Sequence, residues 1–373
     1  MVIAVNTKIT GNDEPESSDN FIFETFSQIV PLHPEHTFVL ISETPLTGLF
    51  IHFENVINVP IGQQTKNPAL WYLWYNIKIP TVLKKYKADI FVSYGIGSNA
   101  TKIPQCLIIP GLTFTYQPFI YKKSNLLFYK TFVVRSIKKS KVVITVSEFC
   151  KSEIIKQYKT DINKIQVVYR GINENFIEIG YEEKKEIKIK YADGNEYFIY
   201  LGEIGSNKNL LNLLKAFSAF KKRQKSNMQL LIAGKQGWKY EEFAESLRLF
   251  RFKEEVKILK DISQDDIAII TASAYAMVYP SLYENFATQP LLAMKCGVPV
   301  ITSLVSALPE ICGDAALYAD TENFKEIAVK MMSLFRDENL RKQVIEKGKV
   351  QAQKFNWNIT SDLLWKNIDK IIK

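Results

Sequence analysis

The chain has 373 residues, enough for two domains of ordinary size, and its 47% hydrophobic and 12% aromatic content is that of a globular protein. Forty-eight basic against 39 acidic side chains give a formal charge of +9, which favours anionic partners without choosing among nucleotide phosphate, anionic lipid and nucleic acid. No run approaches the ~20 apolar residues of a membrane span, and "MVIAVNTKIT" lacks the basic and long apolar regions of a leader, so the expectation is a cytoplasmic protein.

In chain order, short β-branched runs alternate with longer amphipathic stretches. The runs are "VIAVN", "FVLIS", "ADIFVSYG", "CLIIP" and "KVVITVS", then "YFIYLG", "MQLLIAG", "VKIL", "AYAMVYPS", "VPVITS" and "AALYA". Strands apolar on both faces, separated by helical patterns, predict parallel sheets covered on both sides, an α/β doubly wound class. The rhythm breaks over residues 172–196, which are charged and poor in apolar period, so the boundary falls there. The domains are placed at 1–172, joined by a returning helix over 355–373, and at 173–354. Cys106, Cys150, Cys296 and Cys312 have no paired or metal-ligand spacing and read as reduced, buried thiols.

Three features carry chemistry. In "YLGEIGSNKNLLNLLKAF" a strand runs into Gly202, a polar loop, Lys208 and a helix from about Asn209. Glycine lets backbone approach a ligand, and a lysine at a helix mouth supplies the cation a diphosphate needs. In "VYPSLYENFATQPLLAMKCGVPV" a strand delivers Glu284 to a helix predicted to start near Phe286, where a carboxylate can accept hydrogen bonds from neutral hydroxyls. In "LHPEH", His33 and His36 have an i, i+3 spacing that would suit metal, but with no third ligand recognised nearby they read as a solvated helix end, and no metal site is expected.

Taken together with "KVVITVSEFCKSEII", "KIQVVYRGINENF" and "ALPEICGDAALYAD", these blocks resemble the GT-B nucleotide-sugar glycosyltransferases, in particular the large family 4 of retaining enzymes. The likeness covers nearly the whole chain. It implies two Rossmann-like domains facing a cleft, the donor held mainly by the second, and a C-terminal helix returning to the first. Residue by residue, it implies that Lys208 contacts the donor diphosphate with Gly202 and Asn209 beside it, and that Glu284 grips sugar hydroxyls. It also implies that the amides of Asn285, Phe286 and Ala287 lie near sugar and phosphate, and that Ile262 contacts the base through its backbone. The partners are then a nucleotide-sugar donor and a glycan or lipid-linked acceptor. Without an Asp-x-Asp the site is expected to work without metal, and no cofactor is expected.

The chain departs from that family's pattern at four places. Leu292 stands where a second glutamate holds the ribose, and Pro110-Gly111 stands where many members have His-Asp. Glu203 and Asn207 occupy the places of an arginine near the lysine, and the N-terminal glycine-rich loop is reduced to Gly11. These departures keep a second expectation alongside the first, a GT-B-shaped partner subunit that binds nucleotide or glycan with weak or no turnover. Lastly, residues 121–160 carry ten basic and two acidic side chains, and 69–86 contribute Trp71, Tyr72, Trp74 and Tyr75. A basic surface with amphipathic aromatics suits an anionic membrane, equally a solvated face over a buried stripe, and nucleic acid is not expected because no recognition motif accompanies the charge.

Overall fold

The computed structural model describes residues 1–7, 20–46, 52–62 and 67–372; Gly11 lies outside them. The chain divides into two compact units, Met1–Gly171 with Asn356–Lys373, and Ile172–Phe355. Each is an α/β unit built on one all-parallel sheet.

The first unit contains β1 (Val2–Asn6), β2 (Thr37–Ser42), β3 (Val56–Pro60), β4 (Ile90–Tyr94), β5 (Gln105–Ile108), β6 (Val142–Thr145) and β7 (Ile165–Val167), in the spatial order β3-β2-β1-β4-β5-β6-β7. The interior strands are buried apart from a half-buried first residue in β1, β2 and β6, as strands covered by helices on both faces should be. β3 alternates between half-buried and exposed positions because it is an edge. The helix Trp357–Ile372 belongs to this unit: it packs on the helix Asn20–Leu32, Ser361 Oγ donates to Thr25 O at 3.3 Å, and Trp357 meets Phe21 edge-on.

The stripe "LWYLWY" settles on the core side. Trp71, Trp74 and Tyr75 are buried among Phe128, Tyr129, Leu83 and Ile79, and of the four aromatics only Tyr72 faces outward. Of the two readings of this segment, the buried stripe holds for Trp71, Trp74 and Tyr75, and Tyr72 alone is left for a surface role. On a helical stretch, residues 71, 74 and 75 share one face, which the sheet and the helix Lys123–Lys139 cover.

The second unit contains β8 (Tyr197–Leu201), β9 (Gln229–Ala233), β10 (Val256–Leu259), β11 (Ala276–Tyr279), β12 (Val300–Ser303) and β13 (Ala316–Ala319), in the order β10-β9-β8-β11-β12-β13. Its order reverses between β8 and β11, the point where parallel sheets leave a crevice at their carboxyl ends. The charged stretch after Gly171 holds the helix Tyr181–Ala192. It carries no apolar stripe, and Glu182 and Glu183 in its first turn and a left-handed Asp193 at its end define it instead. All four cysteines are free and buried, and burial pushes the thiols of Cys106, Cys296 and Cys312 up to about 12.

Among the described residues, no helix is long and apolar enough to cross a membrane.

Candidate functional site

The two loops singled out in the sequence leave the two strands that flank the reversal of the second sheet, and they meet. Lys208 Nζ donates to Glu284 Oε1 at 2.6 Å. The same carboxylate oxygen accepts from Tyr279 Oη at 2.7 Å and from Ser281 Oγ at 2.7 Å. All three donors thus sit on Oε1, which leaves Oε2 without a protein partner among the described residues. Lys208 is 8% exposed, and the three ammonium protons include two that no described side chain uses. The pair therefore presents a carboxylate oxygen that can accept from neutral hydroxyls beside a cation that can meet a phosphate.

Each group is held from behind. Gly202, φ +140°, turns the chain out of β8; Gly234, φ +152°, does so after β9, and a Cβ there would come within 1.8 Å of the Gly202 carbonyl oxygen. Only glycine allows these two loops to pass so closely. Lys208 closes a short 3-10 turn, Ser206–Lys208, and Asn209 takes the left-handed conformation, so the long helix begins at Leu210 and not at Asn209. The amide of Asn209 donates to Pro280 O at 3.2 Å and Thr321 O at 2.7 Å, tying the lysine loop to the loops after β11 and β13. Its side chain is thus occupied in positioning.

Glu284 is gripped through its backbone: its N–H donates to Ser306 Oγ at 2.8 Å, and its carbonyl accepts from Ala307 N at 3.2 Å. Asn285, Phe286 and Ala287 form a bend, and the helix starts at Thr288, two residues later than the sequence suggested, because Ala287 is still outside the helical region of φ and ψ. Phe286 is buried and packs edge-on against Phe355. Ile262 lies half-buried in the turn between β10 and the helix Gln264–Ala272, at the same carboxyl edge of the sheet.

Tyr279, Ser281, Ser306 and Gly234 were not singled out in the sequence. Tyr279 and Ser281 sit five and three residues before the glutamate, at the end of an apolar strand, where polar residues signal the sheet's open edge. Tyr279 stacks on Tyr200, centroids 5.8 Å apart, whose hydroxyl donates to Glu203 O. Burial, and next the Glu284 carboxylate, hold both phenols well above the usual tyrosine range, so each stays a donor.

The departures have structural explanations. Leu292 is 8% exposed on the helix Thr288–Lys295, an apolar side chain in an apolar setting. Glu203 accepts from Trp238 N at 3.0 Å and so ties the loop after β8 to the loop after β9. In the first unit, Pro110 O accepts from Cys150 Sγ at 3.2 Å. His33 and His36 are brought together, and the structure corrects their reading: Glu35, between them in sequence, is a third group, with one ligand atom from each lying within 4.8 Å of the others.

Comparison with known proteins follows the division into units. The model described as "Glycosyltransferase Family 4" matches residues 34–176, and that described as "Glycosyl transferases group 1" matches residues 182–351. O-antigen chain mannosyltransferase B of Escherichia coli is 28% identical over 241 residues, 64% of this chain and 63% of that protein. O-antigen chain mannosyltransferase RfbU of Salmonella typhimurium is 29% identical over 215 residues, 56% of each. The match thus spans less than two thirds of these relatives' lengths. Among solved structures, a glycosyltransferase of Rickettsia africae superposes with a TM-score of 0.77 at 19% identity, covering 100% of this chain and 98% of its own. HepE of Anabaena, solved with UDP-glucose, gives 0.76 at 13% identity over 99% and 100%. Two glycosyltransferase models in succession, one for each parallel-sheet unit, establish that the chain belongs to the group 1 glycosyl transferases of the GT-B fold.

Proposed function

We propose that this chain is a retaining, metal-independent glycosyltransferase that moves a sugar from a nucleoside diphosphate sugar to a glycan or lipid-linked acceptor. The observation that carries the reading is the meeting of Lys208 and Glu284, one from each loop flanking the sheet reversal, with Glu284 Oε2 and two lysine protons uncommitted. The carboxylate would accept from sugar hydroxyls. The ammonium would stabilise the charge that grows on the diphosphate as the glycosidic bond breaks. In a same-face transfer, the acceptor oxygen bonds to the anomeric carbon as the carbon–phosphate-oxygen bond breaks. The departing phosphate oxygen takes the acceptor proton, so no histidine is required.

The names of the relatives, O-antigen chain mannosyltransferases, favour a hexosyl donor of mannose type and an acceptor in polysaccharide assembly. The neighbour solved with UDP-glucose supports a nucleoside diphosphate as the bound half of the donor. We place donor recognition in the second unit and acceptor recognition in the first. Asn285, Phe286, Ala287 and Ile262 are proposed as backbone contacts to donor and base, on the strength of their place at the carboxyl edge of the second sheet.

The test is binding of nucleoside diphosphates, screened by thermal shift and quantified by calorimetry. A ligand at 100 times its Kd adds about 2.7 kcal/mol to stability. Binding that is lost in Lys208→Ala supports the reading; no binding by any common nucleoside diphosphate overturns it. One observation favours a second reading, a nucleotide-binding partner subunit with weak or no turnover: Leu292 cannot accept a ribose hydroxyl's hydrogen bond. Nucleotide binding without sugar transfer to any acceptor would select it.

A further inference from the structure

We propose that His33, Glu35 and His36 form a binding site for a divalent transition-metal ion of zinc or nickel type, within the first unit. The site is independent of the donor residues, all of which lie in the second unit.

The backbone brings these residues together by a mechanism visible in "LHPEH". The helix Asn20–Leu32 stops, and the next four residues make a tight turn closed by His36 N donating to His33 O at 3.2 Å. Pro34 occupies the second position of that turn, where its fixed φ is favourable. The side-chain amide of Asn55 then donates to the carbonyls of Val30, His33 and His36, at 3.2, 3.3 and 3.2 Å. One amide thus pins both ends of the turn and the last turn of the helix before it. The rings are held as well: they lie nearly parallel, 17° apart, with centroids 6.1 Å apart, and the indole of Trp365 stacks on His33 at 3.7 Å and lies 5.3 Å from His36. Little rotamer freedom is left to lose when an ion arrives.

The distances suit an ion better than they suit hydrogen bonds. Glu35 Oε1 stands 3.4 Å from His33 Nδ1 and 3.4 Å from His36 Nε2. That exceeds the ordinary range for N–H···O contacts. It matches the ligand-to-ligand edge of about 3.3–3.4 Å that follows from a tetrahedron with bonds of about 2.0–2.1 Å. The third pair of ligand atoms, one from each imidazole, lies within 4.8 Å. Two imidazoles and one carboxylate, with a position left for water, form a donor set that zinc, nickel and copper accept and that magnesium does not prefer.

His36 Nδ1 is buried without a partner among the described residues. Ligation through Nε2 places the ring proton on that atom, where no described acceptor meets it, which weakens the site relative to one with a paired second nitrogen.

Trp365 supplies the readout. Titration of the full, tag-free chain with Ni(II) should quench tryptophan fluorescence to saturation with one-to-one stoichiometry and a micromolar midpoint, and Zn(II) should compete. Trp365→Phe should keep the stoichiometry in calorimetry and lose most of the quench. His33→Ala with His36→Ala should weaken binding at least about tenfold. Should that double variant fail to fold by circular dichroism, Glu35→Ala provides the same test, because its side chain is 59% exposed and carries no core contact. Lack of saturation in the wild type at submillimolar metal, or an unchanged midpoint in a folded variant lacking these ligands, overturns the proposal.

Discussion

Lys208 Nζ and Glu284 Oε1 lie 2.6 Å apart with side chains only 10% and 12% exposed, so the two groups expected to grip opposite ends of a sugar diphosphate hold each other first. The pair has a structural consequence apart from any ligand. Removing one member leaves the other charged and largely buried, which costs about 3–5 kcal/mol where no water or second partner compensates. Here Tyr279 and Ser281 still donate to Glu284, so Lys208→Met should destabilise less than Glu284→Leu, which strands the ammonium. The double variant should recover part of the summed loss, because the singles share one interaction. Urea unfolding of all four proteins gives the comparison. Additive losses would mean that the two charges do not interact appreciably in solution.

Tyr279 gives the same site a pH signature. Its pKa is held well above the ordinary value of 10, by burial first and by the Glu284 carboxylate second. In the unfolded chain the phenol ionises near pH 10. Above that pH the folded state keeps a proton that the unfolded state has lost, so this contribution is fully present below pH 10 and falls as pH rises beyond it, by up to about 1.4 kcal/mol per unit. Tyr279→Phe should cost about 1.5–3 kcal/mol at pH 8, one hydrogen bond to a charged group. Its deficit relative to wild type should then shrink through pH 10 to 11. A deficit that stays constant over that range would place the phenol in contact with solvent.

Leu292 can be tested for what it is. At 8% exposure on the helix Thr288–Lys295 it behaves as core, and Leu292→Glu should therefore destabilise by about 2–5 kcal/mol, through lost packing and an unpaired carboxylate. Nucleotide affinity should not improve. A variant that melts like the wild type and binds nucleotide more tightly would instead put this side chain at a ribose edge.

Where the sequence could be read, burial made it readable. Both parallel sheets follow from strands that are apolar on both faces; the order of the strands, and so the reversal between β8 and β11, comes from the structure. Eleven of the strands stand out as runs. The two that do not, β3 and β7, are the edges of the seven-stranded sheet. An edge is half solvated, so "VINVP" has no continuous apolar signal, and "IQV" is three residues long. Glu284 and Lys208 were legible as a carboxylate and a cation at helix mouths. Their direct contact was not, nor were the roles of Tyr279, Ser281 and Asn209, because 76 residues separate the pair and only the parallel pairing of β8 with β11 brings them together. The third group of the His33–His36 turn was missed for a different reason: i, i+3 spacing was read as helical, whereas the chain there is a proline turn that swings Glu35 to the same side.

The structure also redistributes the surface proposed to meet a membrane. With Trp71, Trp74 and Tyr75 in the core, the outward apolar groups of that region are Leu70, Tyr72, Leu73 and Ile77, and on neighbouring elements of the first unit Phe119 and Leu127. Lys122, Lys123, Lys130 and Arg135 are exposed on or beside the helix Lys123–Lys139, while Lys78 and Lys139 are committed to the Ile61 and Asn99 carbonyls. Each free cation near an anionic surface contributes on the order of 1 kcal/mol, so three or four acting together give reversible binding. That attraction must weaken as the Debye length falls from about 10 Å at 0.1 M salt to about 3 Å at 1 M. Co-sedimentation should therefore show pelleting with anionic vesicles at low salt, little with neutral vesicles, and release at high salt. Lys122→Glu with Lys123→Glu and Lys130→Glu should abolish the low-salt binding, whereas Tyr72→Ser with Ile77→Ser should weaken it and make what remains more salt-sensitive, because the apolar share of the contact is not screened. Equal pelleting with both lipids, or none at low salt, would leave this face an ordinary solvated one and favour a soluble glycan as the acceptor.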